Sequence, residues 1–323
     1  MSEQLDILCV GLSCLDIINE VSYYPEEDMD CRCVAQWWQR GGNAANNCTV
    51  LGLLGARPAY LGTIADSHEK RFLLDDFAKY GVNTDHVVEV GGCSCPTSCV
   101  ILSQTTGSRT IIHANAGLPE LSVDDFSKVD LTVFDWIHFE GRNVANVVKM
   151  IEVVRKHNQK HQDSKSITIS VEVEKAKAEL DALIPLPDVL FVSKDYAKFK
   201  GFSNMAETVE KIQTQAYPGC LVICPWGEAG ATMGREGSEL VKSPAFPPTK
   251  VVDTLGAGDT FNAATIFALS RGYSHSSSIT FACRLAGAKV GVQGWEAFRQ
   301  ILCDSNLSTP LTSSTSELIG RGS

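Results

Sequence analysis

The sequence predicts an α/β protein: a mainly parallel central sheet between two layers of helices, a three-layer sandwich, with a small β-sheet set apart as a lid. Three observations predict it. Short apolar or β-branched runs alternate with helix-length segments along most of the 323 residues. These runs are near-continuously apolar, as strands covered on both faces are. Two stretches break the rhythm and read instead as strands of an accessory sheet.

In chain order, Asp6–Gly11 (DILCVG) is a buried strand ending at glycine, and Gly42–Leu54 is an apolar-periodic helix rich in small residues. Ala59–Gly62 is a second strand, and Glu69–Tyr80 has helical spacing through Phe72, Leu73, Asp76, Phe77 and Tyr80 before Gly81. Trp136–Glu140, Ser166–Val173, Val189–Val192 and Leu221–Cys224 are further strands, separated by helices such as Ala145–His157 and Asn204–Thr214. Ile17–Trp38 alternates with few helix signals, and Ser98–His113 reads as a hairpin turning at Gly107. Together they form a small antiparallel sheet, with lid strands within about 12–40 and 93–117 of a domain spanning 1–303. The Ser/Thr-rich stretch 304–323 has no core pattern and reads as a disordered tail. There is no internal repeat.

Composition limits the function. A formal net charge of −10 disfavours general nucleic-acid binding, which needs a basic surface. The N-terminal MSEQLDILCVG has no basic region ahead of a long apolar run, and no stretch is apolar enough for a membrane span, so a cytoplasmic protein is expected. The twelve cysteines then imply no disulfide framework. Cys9, Cys48, Cys220 and Cys224 sit in apolar runs as core residues. Cys31, Cys33, Cys93, Cys95 and Cys99 lack the spacing of a usual zinc set, and the Asn47-Cys48-Thr49 sequon has no secretion signal to make it useful.

Two segments carry chemistry. In Val251–Ala263 (VVDTLGAGDTFNA) a β-like Val251-Val252 run leads into Gly256, Ala257 and Gly258 and then a helix. Small residues let backbone approach a ligand, and a helix N-terminus presents unpaired N–H groups to an anion. Asp259 beside such an anion hole suits a general base for a hydroxyl attacking phosphorus; an ordinary loop with Asp259 capping the helix is the alternative. The segment lacks the Lys-Ser/Thr ending of a Walker loop and the third glycine of a dinucleotide fingerprint. In Arg40–Cys48 (RGGNAANNC), Gly42 precedes Asn43 and Asn46, whose i, i+3 spacing puts both amides on one helix face, suited to sugar hydroxyls; here too Asn43 as a cap is the alternative.

GGNAANNC resembles the N-terminal signature, and DTLGAGDTFNA the C-terminal signature, of the ribokinase/PfkB carbohydrate kinases. With WWQRGGNAANNCTVLGLLGA, FEGRN, SVEVEK, LFVSKD and FPPTKVVDTLGAGDTFNA, the likeness runs from about residue 5 to 295 and is nearest to the ketohexokinase group of that family. The resemblance implies a ribokinase-like fold and ATP-dependent phosphorylation of a ketohexose, D-fructose to fructose 1-phosphate. It implies Asp259 as base, Gly256, Ala257 and Gly258 as anion hole, and Asp16, Gly42, Asn43, Asn46 and Arg109 around the sugar. Asp28 would be lent by the lid to a partner subunit's sugar site in a homodimer. Trp226, Glu228, Gly230, Phe246, Pro247 and Thr254, with Cys283 and Ala286 on an adenine-side helix, would surround the nucleotide. Magnesium would arrive with ATP, and potassium would sit near the loop after Asp259; the protein's own metal ligands stay unassigned.

Each carried-over role has a plainer counterpart: a turn cap at Asp16, a solvated charge at Arg109, core packing at Trp226, and a solvated acidic run around Asp28. Where many ribokinase relatives have Asn-x-x-Glu, this chain has Ser193-Lys194-Asp195-Tyr196, the form shared by ketohexokinases. Asn115-Ala116-Gly117 departs from their polar stretch, and the tail is longer. The alternatives are a sibling kinase for another sugar, a non-catalytic sensor that kept the fold, and a scaffold built on the cysteines and tail.

Overall fold

The computed structural model describes residues 5–106, 108–115, 117–161, 166–305 and 307–310. An eight-stranded sheet runs through the centre in the order Val241–Ser243, Ala231–Gly234, Leu221–Pro225, Val189–Val192, Thr168–Val173, Trp136–Glu140, Asp6–Val10, Arg57–Leu61. The strands from Leu221–Pro225 to Arg57–Leu61 pair in parallel, and the other two add antiparallel at one edge.

Alternate side chains along each strand enter different layers. Ile7 and Cys9 pack with the helices Asn43–Leu53, Glu69–Lys79, Ala257–Ser270, His275–Val290 and Gly294–Asp304. Leu8 and Val10 pack on the other face with Val144–Lys160, Lys194–Phe199 and Met205–Gln213. Both faces being covered explains why these strands read as continuous apolar runs. Cys9, Cys48, Cys220 and Cys224 are all buried, and all twelve cysteines are free thiols.

The lid is a separate four-stranded sheet in the order Ala35–Gly41, Cys14–Val21, Thr97–Ser103, Arg109–Ala114. It is not wholly antiparallel as expected: Cys14–Val21 and Thr97–Ser103 run parallel. The whole helix–strand segment between them provides the long crossover that a parallel pair needs. The hairpin turn at Gly107 and the departure at Ala116 lie outside the described residues, as does the tail from residue 311 onward.

The β-like run at Val251-Val252 is also corrected. Both residues are exposed and outside any strand. The amides of Val252 and Asp253 both donate to the carbonyl of Val290, at 2.9 and 3.1 Å, so the segment docks on a helix end instead of a strand. Among the described residues no helix is long and apolar enough to cross a membrane.

Candidate active site

The sheet order reverses at Asp6–Val10. The chain leaves that strand for Arg57–Leu61 on one side and later takes Trp136–Glu140 on the other. Such a reversal opens a crevice beyond the strand ends, where ligands of α/β sheets bind. Glu140 closes its strand there, its Oε2 accepting from Leu12 N at 2.8 Å and Ala44 N at 3.4 Å, with Arg142 Nη1 3.4 Å from Oε1. Burial outweighs the Arg142 guanidinium and pushes the carboxyl of Glu140 up to about 7. Arg142 is held in turn by Glu120.

Gly42 caps the Asn43–Leu53 helix at φ 100, where a Cβ would stand 2.1 Å from the carbonyl oxygen of Leu12. No side chain caps this helix, which removes the capping alternative for Asn43. Its Nδ2 donates instead to Glu172 Oε1 at 2.8 Å and Glu174 Oε2 at 2.7 Å. Asn46, one turn on, donates through Nδ2 to Asp259 Oδ2 at 2.7 Å, and Asn262 donates to Glu172 Oε2 at 2.6 Å. Asp259 does not cap either, because the cap of the Ala257–Ser270 helix is Gly256 at φ 76. Burial first, then repulsion from Glu172, raises the carboxyl of Asp259 well above the ordinary range; the Asn46 hydrogen bond opposes them, and Glu174 and Glu140 add to the rise. A half-buried carboxylate of raised basicity, at the first turn of a helix whose early amides lack intrahelical partners, is equipped to accept a proton beside an anion.

On the other side of that turn lies an apolar cleft of about 400 Å³. Glu228, Gly230, Phe246, Pro247, Thr254, Ala257, Gly258, Cys283 and Ala286 line it. Gly287 brings its helix so close to Phe246 that a Cβ would lie 1.9 Å from the Phe246 carbonyl oxygen. Trp226 stands outside the lining, with Lys194 Nζ 5.8 Å from its ring, and packs against the core. Gly256 is likewise outside it; a Cβ there would meet the Trp295 indole at 2.5 Å. Burial pushes the Cys283 thiol up to about 11.

The lid supplies the remaining residues. Asp16 is buried within the strand Cys14–Val21, not at a turn, and desolvation raises its carboxyl, opposed by the Ser98 hydroxyl. Gly41 leaves room for it, since a Cβ there would fall 2.3 Å from Asp16 Oδ2. Arg109 reaches from the lid to the hydroxyl of Thr254, beside the Gly256 turn. Asp28 is exposed at φ 65 in the link between two lid strands. It does not line this cleft. Past Asp259 the chain continues as helix to Ser270. Glu140, Glu172, Glu174 and Asn262 were not singled out from sequence. For the three acids the signal was present in FEGRN and SVEVEK, where acids stand at or beside the end of an apolar strand; Asn262 lies in the DTFNA segment.

The model of the pfkB family carbohydrate kinases matches residues 4–299. Mouse ketohexokinase is 49% identical over 295 residues, covering 91% of this chain and 99% of that protein. Ribokinase of Arabidopsis thaliana is 28% identical over 314 residues, covering 89% of this chain and 76% of that one. The solved structure of Arabidopsis thaliana ribokinase complexed with ribose and ATP superposes with a TM-score of 0.78 at 21% identity, over 96% of this chain and 99% of that one, and shows a shared fold.

Proposed function

The chain belongs to the pfkB family of carbohydrate kinases and is a sugar kinase, and from that premise we propose that it transfers the γ-phosphoryl of ATP to the C1 hydroxyl of a ketohexose, converting D-fructose to fructose 1-phosphate. The observation that carries this reading is Asp259, half-buried between the Asn46 amide on one side and the cleft at Ala257 and Gly258 on the other. Sugar lies against Asp16, Gly42, Asn43 and Asn46 under the lid, and nucleotide fills the apolar cleft. Asp259 takes the hydroxyl proton as the oxygen bonds to phosphorus and the bond to the leaving ADP breaks. The amides at Gly256–Gly258 and the guanidinium of Arg109 face the charge on the transferring group. The 49% identity to mouse ketohexokinase supports the sugar class.

Among the described residues no group of three His, Cys, Asp or Glu is arranged to hold a metal. Magnesium arriving with ATP would be held chiefly by phosphate oxygens and water, with Glu172 and Glu174 as the nearby oxygen donors. Magnesium neutralises phosphate charge when bound; every proton movement above belongs to Asp259. Potassium, which the family resemblance implies, would add positive charge near the phosphoryl group, and no step is assigned to it; Lys289 lies 2.8 Å from Asp253 beside the Gly256 turn.

The proposal includes a homodimer joined through the lid, supported by exposed Trp38, Ile111 and Ile112 on that sheet and Val34 just before it. Asp28 then completes the partner's sugar site. Twelve free thiols suit the reducing cytoplasm. The test is ADP release with ATP and magnesium across fructose, ribose, adenosine and keto-deoxygluconate. Fructose-dependent release with a 1-phosphate product is expected. Release with another sugar alone would overturn the substrate, and saturable ATP binding without release would overturn catalysis.

A further inference from the structure

Lys289 is a lysine with no exposed surface, and the chemistry described so far gives it no task in the transfer itself. It projects from the last turn of the His275–Val290 helix, the helix whose Cys283, Ala286 and Gly287 wall the apolar cleft. Its Nζ lies 2.8 Å from Asp253 Oδ2, and the same oxygen accepts from Gly294 N at 3.1 Å. The other oxygen of Asp253 accepts from Leu255 N at 2.9 Å, one residue before the left-handed Gly256. Lys289 Nζ also sits 5.2 Å from the centroid of the Trp295 ring. That ring is the surface against which Gly256 packs, leaving no space for a Cβ.

The Gly256 turn is therefore fixed from two sides by groups that meet at Lys289. One side is the Asp253 carboxylate, which holds the Leu255 amide. The other is the Trp295 indole beneath Gly256. Backbone bonds from Val252 and Asp253 to the Val290 carbonyl attach the same segment to the residue after Lys289. Unpaired buried ammonium groups are costly, so the lysine holds its place only while Asp253 holds its own.

We propose that Lys289 is a positioning residue for phosphoryl transfer: through Asp253 and Trp295 it fixes the Gly256–Gly258 amides at the point where charge develops on the transferring group. The inference rests on the kinase reading above and assigns Lys289 no contact with substrate. A hydrogen-bonding pocket displaced by about 1 Å loses on the order of a hundredfold in rate. Sugar contacts lie on the Asn43–Leu53 helix and the lid and do not depend on Lys289.

The experiment compares Lys289→Met, Asp253→Asn and the double variant Asp253→Asn/Lys289→Met with wild type, measuring kcat and KM for fructose together with thermal midpoints. Lys289→Met strands a buried carboxylate and is expected to lower the midpoint sharply. The double variant removes both charges, and the side-chain amide oxygen introduced by Asp253→Asn can still accept from the Leu255 amide, so its midpoint should return towards wild type. Its kcat is expected to stay about thirtyfold to a hundredfold down with the fructose KM within about threefold. A purely structural ion pair predicts that kcat recovers with the midpoint; a stable double variant within about threefold of wild-type kcat overturns the proposal. A variant whose fructose KM rises while kcat holds overturns it as well. Wild-type inactivity on every sugar would instead refute the kinase reading, so the two failures are distinct.

Discussion

Replacing Glu140 by glutamine removes a charge that the fold holds against its tendency to be neutral. Burial places the folded carboxyl at about 7, against an ordinary value of 4.5. The native state therefore binds more protons than the unfolded chain between those values, and stability falls as pH rises through that window. The gap corresponds to roughly 3 kcal/mol, of which about 2.5 kcal/mol falls between pH 5 and pH 8. Glutamine has no such dependence. Its oxygen can keep the Leu12 and Ala44 amides, while its NH2 would face Arg142 Nη1, donor to donor, where Oε1 now lies at 3.4 Å. That clash is the same at every pH and drops out of the comparison. Urea unfolding of Glu140→Gln and the parent from pH 5 to pH 8, both in an Asp259→Asn background to silence the neighbouring carboxyl, reads the slope directly. The variant should gain about 2.5 kcal/mol on its parent across that range. Parallel stability curves, differing by less than about 0.5 kcal/mol in trend, would show that Glu140 ionises without penalty and that the burial argument is wrong.

Asp259→Asn should lower kcat by about 10²–10⁴ with fructose binding by calorimetry retained; near-normal turnover would remove the base assignment. Because the Asp259 carboxyl is raised, wild-type kcat/KM should fall on acidification well before an ordinary carboxylate would protonate, and the residual rate of Asp259→Asn should lack that limb. Gly256→Ala forces a side chain into a left-handed residue and onto the Trp295 ring, so it should cost about 1–3 kcal/mol of stability by denaturant melts and lower kcat more than the fructose KM. The cleft offers a nucleobase mostly apolar groups and prolines, with Glu228 and Thr254 its only charged or hydroxyl side chains among the described residues. GTP and ITP should therefore support turnover within about two orders of magnitude of ATP, in contrast to the 10⁴-fold or larger exclusions of sites built on hydrogen bonds.

Much of the scaffold was legible because strands buried on both faces leave an unmistakable run of apolar residues, as at Val189–Val192 and Leu221–Pro225. The two motif segments were legible through their resemblance to the two family signatures, since their residues alone left helix capping open at Asn43 and Asp259. The acids were not: Glu140 ends an apolar strand and Glu172 lies one residue before the end of another, where a carboxylate usually turns to water, and only the fold shows Asn43, Asn262 and the Leu12 amide meeting them. The parallel pairing inside the lid was hidden because strand direction depends on residues about eighty positions apart. Val251-Val252 misled because β-branched residues favour strands only where a neighbouring strand is free to pair. Lys289 reads in sequence as an ordinary last-turn cation, and its burial appears only when Asp253 is folded against it.

The hydrogen bond from Asn46 to Asp259 joins residues 213 positions apart. At a synthesis rate of about 5–20 residues per second, roughly 10–40 seconds separate the two on the ribosome. For that interval the emerging polypeptide has the Asn46 amide without the carboxylate it pairs with, so on the proposed role of Asp259 it does not yet turn over nucleotide. On that proposal, competence waits until the C-terminal helices close onto the first helix and bring Asn46 to Asp259.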